Sequence, residues 1–132
     1  MREHLYRGKA KNGKWVIGNL VIGVPQKGSL SGRDYFIFPL EEQATYIVDP
    51  QTVGEYTDFK DQKGVQIFTA DIVRDKNGKL FIIEWNHRRG GYVAKYVNLN
   101  DFEAFEEAFV FYHELEVVGN IHDNPELLEV QQ

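Results

Sequence analysis

Short runs of apolar and β-branched residues alternate with polar, glycine-bearing breaks along most of this chain, a pattern of strands rather than helices. Residues 5–9 and 15–24 flank Lys11-Asn12-Gly13-Lys14. Asn-Gly readily supplies the two positive φ angles of a type I′ turn, so the pattern predicts a β-hairpin. A looser stretch over 25–32 leads to Asp34-Tyr35-Phe36-Ile37-Phe38, a nearly all-apolar strand, and residues 45–48 form another that stops at Asp49-Pro50. The pattern restarts at Val53-Gly54-Glu55-Tyr56-Thr57 and crosses a polar turn at 60–64 to reach Ile67-Phe68. Residues 70–73 then enter a second hairpin whose turn is Lys76-Asn77-Gly78-Lys79. Strands over 79–86 and 92–97 flank Arg88-Arg89-Gly90-Gly91. Strands this short and this evenly spaced predict a barrel or sandwich, not a βαβ sheet.

One segment carries a helical period. Phe102, Phe105, Phe109 and Tyr112 recur at helix spacing, and Asn100 with Glu103 has capping-box spacing, which predicts a helix near 100–112. Residues 114–121 return to strand, with Leu115, Val117 and Ile121 on one face. Asn124-Pro125-Glu126 then predicts a short C-terminal helix near 125–129, with Asn as cap and Pro in the first turn. Val73, Ile83, Tyr92, Val93, Val117 and Ile121 are the expected core of the C-terminal part.

Composition narrows the class. With 132 residues, 42% hydrophobic and 14% aromatic, the chain has the ring area to fold as one domain or two small units. It has no cysteine, which removes disulfides, thiolate metal sites and a cysteine nucleophile together. The N-terminal residues form no apolar leader and no run approaches a membrane span, so a cytoplasmic protein with no membrane partner is expected.

The net charge of −5 conceals an asymmetry. All fifteen Lys and Arg lie at or before Lys95, against eleven acids there, for +4; from Tyr96 onward there are nine acids and no base, for −9. Either the two parts neutralise each other within the fold, or the acidic end meets a basic partner such as another copy.

No catalytic motif emerges. Gly28-Ser29-Leu30-Ser31-Gly32 has leucine where a nucleophile elbow needs serine. The four histidines lack paired ligand spacing, the stretch 58–64 has Lys60 at the third position of a would-be calcium loop, and Gly90-Gly91 lacks a phosphate-loop lysine. No enzyme activity, cofactor or metal is therefore expected. The best binding candidate is the hairpin 85–96, where Trp85, Arg88, Arg89, Tyr92, Lys95 and Tyr96 combine rings with cations. Rings can stack on bases while cations meet phosphates. Trp85, Tyr92 and Tyr96 are expected rather to help close the barrel core, and with only three bases and an acidic tail behind them, nucleic acid ranks behind protein contact.

The chain resembles a known family over nearly its whole length. Tyr6-Arg7-Gly8-Lys9 followed by Gly13-Lys14-Trp15-Val16-Ile17-Gly18 is similar to the opening of the YopX-like proteins of phages and prophages. Residues 52–61 with Gly64, Ile67-Phe68 and Asp71-Ile72-Val73 form the most distinctive part, and residues 116–128 are similarly specific. Asp58 and Ala70 depart from it, standing where the family usually has glycine. If those glycines serve tight turns with positive φ, Asp58 is a tolerable substitute and Ala70 a less natural one.

The resemblance implies a mainly β fold with a smaller N-terminal β unit (1–52) and a C-terminal SH3-like β-roll (53–132), and a phage or prophage origin. It implies no activity. The resulting expectation is a non-enzymatic accessory protein of the bacterial host cytoplasm that acts by protein contact. It is expected to self-associate as a homo-oligomer, with a host or phage protein as a further partner; the alternative is a nucleic-acid-binding module using the 85–96 hairpin.

Overall fold

The computed structural model describes residues 4–23, 33–97, 106–108 and 112–129. They fall into two compact units, Met1–Tyr56 and Thr57–Gln132.

The first unit is an antiparallel sheet of β1 (Tyr6–Lys9), β2 (Trp15–Ile22), β3 (Tyr35–Pro39), β4 (Tyr46–Val48) and the start of β5 (Gly54–Lys60), in the order β4-β3-β2-β1-β5. The β1–β2 connection corrects the expected type I′ turn. Gly13 has φ 84° but Asn12 does not share its positive φ. The Ala10 carbonyl accepts from Gly13 N at 2.9 Å, and Ala10 N donates to the Lys14 carbonyl at 2.9 Å. This is the three-residue loop in which a type I turn is followed by a left-handed glycine. The Asn12 side-chain oxygen accepts the Lys14 amide at 2.9 Å, which holds the loop in this form.

A bridge between Ala10 and Val48 brings the end of β4 back to the end of β1. Beside it, the Thr52 hydroxyl accepts the Lys9 amide at 2.9 Å and donates to the Asp49 carbonyl at 2.6 Å, anchoring the 3-10 turn Pro50–Thr52. The inner face packs Val16, Ile37 and Val48 as a buried cluster, with Leu20, Tyr35, Tyr46 and Val53 against it. Gly18 is required where β2 meets β3: a Cβ there would collide with the Phe38 backbone carbonyl.

The second unit takes the rest of β5 and its neighbour β6 (Gln66–Phe68), then β7 (Asp71–Arg74), β8 (Leu80–Asn86), β9 (Gly91–Tyr96), β10 (Glu106–Ala108) and β11 (Glu116–Asn120). The last five form an antiparallel sheet in the order β10-β9-β8-β7-β11, which ends in two edge strands and does not close on itself. Ile67, Val73, Phe81, Ile83, Ala94 and Leu115 make its buried core, with Phe59, Tyr92, Tyr96, Tyr112 and Val117 packed around them. Of the six expected core residues, Val73, Ile83 and Val93 are fully buried; Tyr92, Val117 and Ile121 are half-buried.

The β7–β8 turn repeats the three-residue geometry, with Gly78 N donating to the Asp75 carbonyl at 3.1 Å and Asp75 N to the Lys79 carbonyl at 2.9 Å. So does the turn after β5, where Gly64 N donates to the Asp61 carbonyl at 3.0 Å. In both, the leading aspartate's Oδ1 accepts two amides of its own loop: Asn77 and Lys79 for Asp75, Lys63 and Val65 for Asp61.

The expected helix near 100–112 is overturned where the chain is described. Residues 106–108 are a strand, paired with β9 through Glu106–Lys95, Glu107–Ala94 and Ala108–Val93. Pairing along an open sheet edge outweighs a short local period. Residues 100–105 and 109–111 lie outside the described residues, as does the Gly28–Gly32 stretch. The expected C-terminal helix is a 3-10 turn over Pro125–Leu128. A bulge between Val117 and Gly119 breaks the simple alternation expected for β11.

Candidate functional site

Hairpin register decides what the 85–96 residues can do together. β8 and β9 pair as Phe81–Tyr96, Ile82–Lys95, Ile83–Ala94, Glu84–Val93, Trp85–Tyr92 and Asn86–Gly91. Opposed residues share a face and neighbours along a strand alternate. Trp85, Tyr92 and Tyr96 therefore lie on the core face with Phe81, Ile83 and Ala94, and Lys95 lies on the other face with Ile82 and Glu84.

Trp85 and Tyr92 meet edge to face at 5.1 Å between ring centroids. Trp85 is 42% exposed at the mouth of the hairpin, and its Nε1 donates to Nδ1 of His87 at 3.3 Å. Arg88 and Arg89 are exposed in the turn. There the Asn86 side-chain oxygen accepts the Arg89 amide at 3.0 Å and Gly90 closes the loop with φ 64°. The structure thus gathers Trp85, Tyr92, Arg88 and Arg89 at one end. Tyr96 sits four residues along β9, about 13 Å away at strand rise, tilted against Phe81 at 5.6 Å with Lys79 Nζ 5.6 Å over its ring. Lys95 is not part of the cluster.

A second constellation, invisible to sequence reading, joins distant segments. Glu116 on β11 takes Lys63 at 2.8 Å and Arg74 at 3.1 Å. Hydrogen bonds from Lys63 first and Arg74 second hold the Glu116 carboxyl below its usual range, and Glu116 in turn raises Lys63. This group fastens β11 and is mostly solvent-facing. In the first unit, the Tyr46 hydroxyl donates to Glu42 at 2.7 Å and Lys14 approaches both at 3.4 Å, which lowers Glu42 and raises Lys14. Among the described residues no three His, Asp or Glu side chains gather as metal ligands, and no helix is long and apolar enough to cross a membrane.

The most conspicuous surface belongs to the first unit. Its outer sheet face carries Ile17, Asn19 and Val21 of β2, Phe36 and Phe38 of β3, and Ile47 of β4, matched across the strands as Asn19–Phe38, Val21–Phe36 and Phe36–Ile47. Ile17, Val21, Phe38 and Ile47 are 40–54% exposed. The only signal for this face in the sequence was that residues 34–38 are nearly all apolar, more than a one-sided strand needs.

No curated protein matches the chain. A solved structure described as the crystal structure of protein EF1440 from Enterococcus faecalis aligns with 98% of this chain and 100% of its own, at 21% identity and a TM-score of 0.43. The family model described as YopX protein matches residues 6–129. At the two positions where that family's resemblance called for glycine, Asp58 and Ala70 have φ 71° and 74°, the non-glycine positive φ values of the described residues. The chain belongs to the YopX protein family.

Proposed function

We propose that this protein is a non-enzymatic interaction module that self-associates, an accessory protein of phage or prophage origin working in the host cytoplasm. One observation carries the self-association. Of the eight large apolar side chains exposed among the described residues, six lie in the first unit: Ile17, Val21, Ile22, Phe38, Leu40 and Ile47. A cluster of exposed apolar residues on a small β unit favours burial against another surface. In this reading the second unit is an SH3-like roll that serves as scaffold, supported by its short antiparallel strands and tight hairpins. Light scattering after size exclusion tests it: the reading predicts a mass that rises above 15.3 kDa with concentration, and a constant 15.3 kDa contradicts it.

A second reading, binding of single-stranded nucleic acid, is favoured by the exposed Trp85 beside Arg88 and Arg89. It predicts binding that weakens steeply with salt, and Arg88→Ala with Arg89→Ala flattening the log–log salt slope by about 1.4, two phosphate contacts at ~0.7 each. No binding to DNA or RNA oligonucleotides at low salt ends it.

A further inference from the structure

We infer that the outer face of the first unit's sheet is where a second copy of this chain docks, face against face; this rests on the self-association proposed above and names its surface. The strand register makes the face continuous. Val21, Phe36 and Ile47 form one row across β2, β3 and β4, Asn19 and Phe38 form the next, and Ile17 follows on β2. None of these six positions is charged.

That neutrality selects the occupant. A two-fold contact sets a surface against itself, so any charge near the axis would meet its own kind. The charges this face does carry, Arg7 opposite Ile17 and Lys9 opposite Trp15, lie on β1, two strands from Phe36 and Phe38, so an axis through β3 sets the six uncharged positions against each other. The size also fits. Half-exposed large side chains present on the order of 100 Å² each, so the four exposed ones supply about 400 Å², roughly the apolar half of a standard interface of ~800 Å² per partner. Two sheet faces of this kind pack about 10 Å apart with side chains interleaved.

Charge introduced at Phe38 tests this, because the side chain is 41% exposed and its replacement leaves the inner cluster of Val16, Ile37 and Val48 intact. Phe38→Glu and Phe38→Lys are each measured by light scattering after size exclusion, with circular dichroism to establish folding. The wild type is expected at twice 15.3 kDa, each variant alone at 15.3 kDa, and an equimolar mixture of the two variants back at the double mass. If a variant unfolds, Ile47→Glu and Ile47→Lys replace the pair. A wild-type oligomer that survives both charged variants overturns the docking face while leaving self-association standing, as does an oligomer lost in both and not restored by mixing. A wild type that stays at 15.3 kDa overturns both.

Discussion

The Asp61 carboxylate accepts the backbone N–H of Val117 at 2.9 Å, across 56 positions of sequence. The same side chain also accepts the amides of Lys63 at 2.8 Å and Val65 at 2.9 Å, so one buried carboxylate forms the turn after β5 and ties it to β11. Gln62 N donating to the Leu115 carbonyl at 3.0 Å doubles the tie. Removing a buried acceptor leaves its donors without partners, each at a cost of about 1–3 kcal/mol. Asp61→Ala should therefore destabilise by at least about 3 kcal/mol for its three amides, and Asp61→Asn by less, since one oxygen remains. Urea unfolding followed by circular dichroism measures both.

Ala70 has φ 74°, with its amide donating to the Ile83 carbonyl at 2.8 Å and its carbonyl accepting from Ile121 at 3.0 Å. Both backbone groups are pinned, so the left-handed conformation is imposed by the sheet. A left-handed L-residue costs about 1–2 kcal/mol, and glycine avoids this while giving back about 0.4–1 kcal/mol through unfolded-state entropy. Ala70→Gly should stabilise by roughly 0.5–1 kcal/mol and raise the melting temperature. Asp58→Gly at φ 71° should be near neutral, because aspartate tolerates this region better. Thermal melts of the two variants give the comparison.

Gly18→Ala should unfold the first unit locally. The added methyl would strike the Phe38 carbonyl, a backbone atom that cannot swing aside without breaking the Gly18–Pro39 and Asn19–Phe38 pairing. Overpacking of this kind costs about 1–3 kcal/mol. Amide exchange should accelerate in β2 and β3 while the amides of β7 and β8 keep their protection.

Glu116 carries a pH signature. Its carboxyl is held low in the folded state by Lys63 and Arg74, so its contribution is present above the ordinary value of 4.5 and is lost as pH falls through the lowered folded value. Lys63 is raised, so its share is present below its ordinary 10.5 and is lost as pH climbs through the raised folded value. The wild type should melt above Glu116→Gln at neutral pH, by a small margin because the partners are largely exposed, and the margin should close in acid. Melting both proteins from pH 7 down to strong acid tests the sign.

Local chemistry made the hairpins legible. Asn12-Gly13 and Asn77-Gly78 fix where the chain reverses, and the alternation around them fixes which residues face the core. The turn type was not legible, because a left-handed glycine at Gly13 serves both a two-residue and a three-residue loop, and only the Ala10–Lys14 pairing selects between them. The strand at 106–108 was hidden for a related reason: it exists because β9 offers an open edge, which no local period records. Within the candidate site, Trp85 and Tyr92 were legible as neighbours from their symmetric distance about the turn, and alternation along β9 alone puts Lys95 on the face opposite Tyr92 and Tyr96. The contacts of Asp61 and Glu116 span dozens of positions and leave no trace in sequence spacing.

Docking of two copies through the outer face of the first unit, as proposed above, brings side chains of both copies within a few ångströms of each other. An isotope-filtered nuclear Overhauser measurement on an equimolar mixture of ¹³C-labelled and unlabelled protein reads that contact directly. The expected result is a set of intermolecular cross-peaks joining the methyls of Val21 and Ile47 in one copy to the Phe38 ring of the other. Cross-peaks confined to residues elsewhere, or a filtered spectrum empty at concentrations where the mass has doubled, would contradict it.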